Sequence, residues 1–248
     1  MNAIELTKDL IRYNTISRDS NVEAIDFVEA RMQEIGCEVE RVEYMDSDGV
    51  RKANLIGRKG RRNASGRRGI TFLGHIDTVP ADGWAFDPFE ARIDGTKMYG
   101  RGSCDMKGSV ACMLATASRY AASDLDAPIY VAVTADEEVG CLGAKAVVEQ
   151  SKMFQEYCPR YGIVGEPTLL KVIHAHKGII QFLIKARGHA AHSSTGKGDN
   201  ANLKLIPFLS EMREIYNTLT TDAKHFNYDF EPPFSDWNIT ISDGNSAA

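Results

Sequence analysis

One histidine and several acidic residues of this sequence lie directly after apolar runs or beside glycines, where a fold can bring them together. His75 follows the apolar run 70–74, and Asp77 comes two residues later. In an extended chain these two side chains share a face, so the Asp77 carboxylate could accept one ring N–H of His75 and raise the basicity of the other nitrogen. By itself a His-x-Asp pair is common, and a histidine at a strand end is more often structural than a ligand.

Three further segments place carboxylates in comparable positions. Asp105 lies on a glycine-rich loop before an apolar stretch, the acidic run Asp136–Glu138 follows the apolar run 129–134, and Glu166 stands between Gly165 and Pro167. Each has an ordinary alternative interpretation. Asp105 would serve as a helix N-cap, and the other acids would be solvated turn residues.

Together these residues form a ligand set of nitrogen and oxygen atoms, made of one imidazole and several carboxylates. Such a set suits zinc, manganese or cobalt, and the lack of a thiolate pair argues against a structural zinc site. Carboxylates that share two cations with a water between them generate hydroxide at neutral pH. The adjacent Glu137 and Glu138 offer a division of labour, in which one binds metal and the other takes the proton from water.

Hydrophobic spacing predicts the elements that must position these side chains. The predicted helices are 3–13, 21–35 (ended by Gly36 as a C-terminal cap), 108–122 and 143–150. The predicted strands are 37–44, 53–57, 70–74, 129–134 and 161–164, the last of them short and buried. This alternation predicts an α/β fold with a central, mostly parallel sheet flanked by helices, and the candidate residues would gather where its strands end.

The pattern changes after Lys177. Residues 179–186 alternate as a strand, 202–219 have the spacing of an amphipathic helix, and 237–242 again resemble a strand. The sequence therefore predicts a catalytic domain at 1–178 and part of a smaller α+β domain at 179–248.

Composition limits the classes of function. The chain has 248 residues, 43% hydrophobic and 25% charged, with a net charge of −5, which is typical of a globular protein and argues against a nucleic-acid partner. One basic cluster at 58–68 is predicted to be an exposed loop. Five cysteines without a CxxC pair favour a reducing compartment. With no signal-peptide pattern and no run of 18 apolar residues, we expect a cytoplasmic protein without a membrane span.

Five segments in this order resemble the motifs of the M20 metallopeptidases and amidohydrolases. They are GHIDTVP (74–80), GWAFDPF (83–89), YGRGSCDMKG (99–108), TADEEVG (134–140) and VGEPT (164–168). The resemblance implies a zinc-exopeptidase-like catalytic domain and a smaller lid domain that forms homodimers. It also implies two zinc ions (Zn2+) per active site, with Co2+ or Mn2+ as alternatives, and hydrolysis of a small N-acyl amino-acid substrate.

The resemblance also implies a role for each matching residue. The implied metal ligands are His75 for the first ion, Asp105 bridging both ions, Glu166 completing the first and Glu138 binding the second. The implied catalytic groups are Glu137 as general base and then acid, and Asp77 as the partner of His75. His192 matches the lid histidine that stabilises the oxyanion in the partner subunit's site, whereas His189 matches no functional position.

Within the family, the segments 174–178, 192–194 and 198–201 most resemble those of acetylornithine deacetylases. This implies conversion of N-acetylornithine to ornithine and acetate, and a place in arginine biosynthesis. A desuccinylase, an aminoacylase and a dipeptidase of the same family remain alternatives. His174 and His176, which alternate along an apparent strand, are interpreted as sheet residues.

One family feature has no match. The family's second histidine ligand of the second metal lies far towards its C-terminus, and none of the six histidines here lies in such a context. Residues 237–248 resemble the middle of the lid, so we expect a fragment with all ligands of one metal and two of three for the other. An inactive metal-binding fragment is therefore an alternative. Metal-free glycoside hydrolysis is another, but it leaves His75 and Asp77 unexplained.

Overall fold

The computed structural model describes residues 1–61, 69–156 and 159–243. The chain divides into two compact units, Met1–Lys171 and Val172–Ala248. Cys158, residues 62–68 of the basic cluster and the last residues of the predicted second domain, 244–248, lie outside the described residues. The domain boundary predicted at 178–179 stays a prediction.

Five α-helices lie in the described part of the first unit. They are α1 (Ala3–Ile11), α2 (Val22–Glu34), α3 (Lys107–Ser118), α4 (Leu142–Gln150) and α5 (Lys152–Glu156). Gly36 ends α2 as predicted, with a φ of +81°. Its N–H donates to Gln33 O, and the next N–H, of Cys37, donates to Met32 O. These two bonds satisfy carbonyls that the end of α2 would otherwise leave unpaired.

The strands of the first unit form one mixed sheet and a separate hairpin. The strands are β1 (Glu38–Met45), β2 (Arg51–Lys59), β3 (Ile70–His75), β4 (Arg92–Asp94), β5 (Lys97–Tyr99), β6 (Ile129–Thr134) and β7 (Tyr161–Val164). The sheet order is β1-β2-β6-β3-β7, with β6, β3 and β7 parallel and the other pairings antiparallel. The α/β fold with a helix-flanked sheet is confirmed, but the described sheet is mixed rather than mostly parallel, with two parallel and two antiparallel pairings. Because β3, β6 and β7 run in parallel, their carboxyl ends meet at one edge.

Hydrophobic packing covers both faces of the sheet. The larger cluster joins α1, α2 and α3 to one face and includes Leu10, Ile25 and Val131. The smaller cluster joins α4 and α5 to the other face and includes Tyr130 and Val147. Adjacent residues of β6 therefore belong to different clusters, as expected for a central strand buried on both sides.

Two expectations for the first unit are wrong. Strand β7 forms where predicted but is not buried, since Ile163 is 50% exposed. Among the strands of the described residues it lies at the edge of the sheet and pairs only with β3. Arg58 and Lys59 do not lie in an exposed loop, because β2 extends through them. Lys59 is buried, and its Nζ donates to Ala117 O at 3.0 Å.

The second unit contains one long helix. Helix α6 (Ala201–Thr221) confirms the helix predicted at 202–219, and short 3-10 turns occupy Ser193–Thr195 and Ala223–His225. The strands predicted at 179–186 and 237–242 are wrong, because neither segment is a strand. Alternation alone does not make a strand, which also needs a hydrogen-bonded neighbour and a surface to cover its apolar face. Here Phe182 is 79% exposed.

None of the helices in the described ranges combines the length and the apolar composition that crossing a bilayer requires.

Candidate metal centre

His75 is the last residue of β3, and its side chain is only 2% exposed. Its Nδ1 lies 2.9 Å from the main-chain oxygen of Asp77 and 3.5 Å from Asp77 Oδ1. The carbonyl therefore shares the orienting role that the sequence predicted for the carboxylate. With Nδ1 held in this way, Nε2 is the nitrogen that faces the acidic side chains, and it lies 3.0 Å from Asp105 Oδ1.

Three of the candidate ligands converge. His75, Asp105 and Glu166 each offer one ligand atom, and these atoms all lie within 4.8 Å of one another. Asp105 lies on the loop before α3, and its peptide bond to Met106 is cis. Glu166 follows β7, and its Oε1 lies 3.7 Å from His75 Nε2. Three segments that are distant in the sequence thus present one nitrogen and two carboxylates to the same point, a donor set that fits zinc.

The adjacent acids after β6 lie beside this group. Glu137 Oε2 is 3.8 Å from His75 Nε2, and the Glu137 side chain is partly exposed. Glu138 stands outside the three converging ligands, but burial raises its pKa and the charge of Asp105 raises it further. The role of Glu138 as a ligand of a second ion, which the family resemblance implies, stays a prediction.

The electrostatics of the site favour a bound cation. Burial raises the pKa of Glu166, the positive field of His75 opposes this rise, and the charges of Asp105 and Glu137 add to it. Burial disfavours the charged form of His75, but the hydrogen bond and charge of Asp77 outweigh it and raise the pKa of the imidazole to about 9. Crowded carboxylates that gather a proton in this way would gain more from a divalent ion.

Asp77 connects two loops of the site. It is buried, and its carboxylate accepts hydrogen bonds from the main-chain N–H groups of Glu137 (3.1 Å) and Glu138 (3.2 Å). It also accepts a hydrogen bond from Ser17 Oγ at 2.8 Å. Burial alone would raise the pKa of Asp77, but the bonds from His75, Ser17 and Glu137 lower it. Asp77 therefore stays ionised and holds the loop after β6 against the end of β3.

Sequence reasoning missed the residues that support these loops. Ser17 lies in a segment before α2 whose neighbour Thr15 donates through Oγ1 to Ile76 O at 2.7 Å. Asn54, in β2, accepts from the N–H of Ala135 at 2.9 Å and donates to Val42 O at 3.0 Å. No spacing pattern in the sequence marks either residue, because each acts through a contact with a distant segment. A buried asparagine within an apolar strand was the one available signal.

The remaining histidines of interest lie in the second unit. His192 begins the turn Ser193–Thr195, and its Nδ1 lies 2.8 Å from Ser194 Oγ. His192 is exposed, and its role stays a prediction. The interpretation of His174 and His176 as sheet residues is wrong, because both lie in an exposed segment without strand structure.

Comparison with known proteins decides the family. The sequence profile described as peptidase family M20/M25/M40 matches residues 71–244. This chain belongs to that family. The matched range contains every candidate ligand and catalytic residue from His75 to His192, whereas the supporting residues Ser17 and Asn54 lie before it.

Two curated relatives of this M20 chain are acetylornithine deacetylases. The one from Myxococcus xanthus is 36% identical over 96% of this chain and 61% of its own length. The one from Erwinia tasmaniensis is 34% identical over 100% of this chain and 64% of its own length. The M20 chain therefore spans about three fifths of the curated relatives it matches.

A solved structure, human carnosine dipeptidase 1, shares the fold. It is 21% identical, with a TM-score of 0.57, over 65% of the M20 chain and 38% of its own length. At this level of identity the likeness concerns the architecture.

Proposed function

We propose that this M20 chain holds most of the two-metal site of an amidohydrolase that cleaves N-acyl amino acids. The observation that carries the proposal is the convergence of His75, Asp105 and Glu166 within 4.8 Å. These residues would hold the first zinc ion, and Asp105 and Glu138 would hold the second. Carboxylate and imidazole donors with no thiolate are typical of catalytic rather than structural zinc.

Bound zinc would supply Lewis acidity and lower the pKa of a water molecule to near neutrality. The side chains of this protein would supply the proton transfers and the contacts that orient the reacting groups. Glu137, beside the converging ligands but not one of them, would take a proton from the attacking water and later deliver it to the leaving amine. Asp77 holds His75 in one orientation and also fixes the main chain of Glu137. His192 of one subunit would donate a hydrogen bond to the oxyanion that develops in the partner subunit's site.

We propose N-acetylornithine as the substrate, with ornithine and acetate as products. Support comes from the two relatives named acetylornithine deacetylase and from the segments 174–178, 192–194 and 198–201. The discriminating measurement is kcat/KM for N-acetylornithine against succinyl-diaminopimelate, acetylmethionine and a dipeptide. A higher value for any of the last three would move the assignment to another branch of the family.

The test of the chemistry is Glu137→Ala, made in the whole protein. We expect kcat to fall by about 10²–10⁴-fold, the usual contribution of a general acid–base group, while the zinc content stays unchanged. Glu149→Ala is the matched control, because Glu149 is an exposed acid on α4 that forms an ion pair with Lys145 at 3.9 Å. Near-normal turnover in the Glu137 variant would remove the mechanism.

A second candidate is a metal-binding chain without turnover. It is favoured by the second metal's histidine ligand, because none of the six histidines of the sequence lies in a matching context. Zinc content measured on the purified chain, followed by a deacetylase assay, separates the two candidates. Bound zinc with no activity in either this chain or the whole protein would favour the second.

We also propose a cytoplasmic homodimer formed through the lid domain. The four cysteines described by the structure, Cys37, Cys104, Cys112 and Cys141, are free thiols, which suits a reducing compartment. Sedimentation of the whole protein would report the oligomeric state, and a monomer at micromolar concentration would remove the dimer.

A further inference from the structure

A buried polar cluster lies directly behind the loop that carries Glu137 and Glu138. Its centre is Asp136, which is 1% exposed and adopts a left-handed backbone with a φ of +54°. The hydroxyl of Tyr44 donates to Asp136 Oδ2 at 2.6 Å. Lys52 Nζ lies 3.2 Å from Asp136 Oδ1, as an ion pair rather than a well-directed hydrogen bond. Aspartate adopts this region more readily than most residues other than glycine, but at a cost that its contacts must offset.

Tyr44 and Lys52 reach Asp136 from one place in the fold. They are directly opposite each other in the antiparallel pair of β1 and β2. Lys52 is 1% exposed, and its Nζ also donates to the main-chain oxygens of Ser17 (2.5 Å) and Asp19 (2.8 Å). The same ammonium therefore holds the segment before α2 and the loop after β6.

These contacts close into a ring that includes the metal centre's own residues. Lys52 binds Ser17 O, Ser17 Oγ donates to Asp77, and Asp77 accepts the N–H groups of Glu137 and Glu138. Glu137 is covalently joined to Asp136, which pairs with Lys52. In a closed ring, loosening one contact frees the others to move.

We propose that Tyr44 and Lys52 are positioning residues that act through Asp136 to fix Glu137 and Glu138 beside His75. The proposal deepens the proposed function and rests on it, since Glu137 must be the general base for its placement to affect turnover. The hydrogen bond of Tyr44 goes to Asp136, and the polar contacts of Lys52 go to Asp136, Asp46, Ser17 and Asp19 rather than to the converging ligands. Their effect is therefore on the placement of the base rather than on the first metal site.

The first test is Tyr44→Phe, which removes a single hydroxyl and keeps the ring that packs beside α4. We expect kcat in the whole protein to fall by about 10–100-fold, as for other residues that support a metal centre from outside. KM and the zinc affinity of the first site should stay within about twofold of the wild-type values, because the variant misplaces the general base but still binds substrate and zinc. Hydrogen exchange at the Glu137 and Glu138 amides becomes faster.

The second test compares Lys52→Met with Lys52→Arg. Methionine leaves Asp136 without its cation, so we expect a loss of stability as well as of turnover. Arginine keeps the charge and is expected to restore part of kcat relative to methionine. Arg41→Gln is the matched control. Arg41 lies on the opposite face of β1 and pairs with Asp26, Glu29 and Glu43. Its loss should lower stability without changing kcat or the exchange of the two amides.

The outcomes separate this proposal from the proposed function. If the wild-type protein hydrolyses no N-acyl amino acid, the proposed function fails. The positioning role of Tyr44 and Lys52 is then tested only by hydrogen exchange at the Glu137 and Glu138 amides in the zinc-loaded Tyr44→Phe variant. Unchanged kcat and unchanged exchange in a folded Tyr44→Phe variant would overturn the positioning role. An equal fall in kcat in the Arg41→Gln control would also overturn it, because the effect would then come from a general loss of stability.

Discussion

At the scale of single residues, negative charge outweighs positive charge around His75. Asp105, Glu137 and Glu166 all lie within 4 Å of its Nε2. Burial raises the pKa values of Glu138 and Glu166. Burial lowers the pKa of His75, but the hydrogen bond and charge of Asp77 outweigh it and raise that pKa to about 9. The metal-free site therefore holds a proton that a cation would replace. Metal binding and protonation therefore compete for the same nitrogen.

This competition predicts a pH dependence. The raised pKa of His75 stabilises the metal-free protein. This contribution is fully present below about pH 6.5, the pKa of a histidine in the unfolded chain. It is lost as the pH rises through about 9, the pKa of His75 in the folded protein. Zinc needs the neutral imidazole, so its apparent affinity should rise by up to about tenfold per pH unit between pH 7 and 9. Calorimetric titration of zinc at pH 7 in buffers of different ionisation heat should show about one released proton. Binding without proton release would contradict the raised pKa.

The sequence predicts the convergence of the three candidate ligands better than it predicts the residues that support them. His75, Asp105 and Glu166 each follow a strand or precede a helix, so their motifs and the parallel strand order together bring them to one edge. Tyr44 and Lys52 carry no such signal. Their role depends on a strand register and on the left-handed turn at Asp136, and neither is encoded in local spacing.

At the scale of elements, the loop after β6 is fixed at both ends. Asn54 of β2 accepts from the N–H of Ala135, and the first turn of α4 donates back through Gly143 N to Ala135 O at 3.1 Å. The strand predictions hold where a neighbour strand exists, as for β3 and β6. They fail at 179–186, where no pairing partner lies within the described ranges, and the burial expected of β7 fails because that strand lies at an edge.

Gly143 allows this close approach of α4. A Cβ at that position would lie 2.3 Å from both Ala135 O and Asn54 Oδ1. We expect Gly143→Ala to lower the free energy of unfolding by about 1–3 kcal/mol, as overpacking does, and to lower kcat by displacing Glu137. Gly178→Ala is the control, because nothing lies within 4 Å of its Cβ and its φ is not in the left-handed region. Thermal unfolding measures both, and equal midpoints would show that α4 can move away.

At the scale of the whole molecule, the two units differ in how much they bury. The hydrophobic clusters all belong to Met1–Lys171, whereas residues 172–243 contain no buried residue. Folding stability follows buried apolar area, so the first unit should carry most of it. The sequence indicated a change of character near this point, but local patterns do not show which segment lacks a covering partner.

This difference predicts where proteases cut. In limited digestion of this chain with chymotrypsin, the first cleavages should fall after residue 171, at exposed apolar sites such as Phe182 and Leu183. A fragment close to 1–171 should persist and keep its zinc affinity, because it contains the converging ligands. Mass spectrometry of the time course identifies the cuts. Early cleavage within β2 or β6 would contradict the assignment of stability to the first unit.

The ring through Lys52 has a consequence for genetic studies of this family. Tyr44, Lys52 and Ser17 all precede residue 71, where the family profile begins to match, although they hold the loop that carries the acids. A screen for variants that fold but no longer turn over should therefore find hits in the first sixty residues, a stretch that donates no ligand. A chimaera joined near residue 70 would keep the acidic loop after β6 but take β1 and β2 from another protein. If those strands lack the contacts of Tyr44 and Lys52, we expect the chimaera to bind zinc and to hydrolyse its substrate slowly.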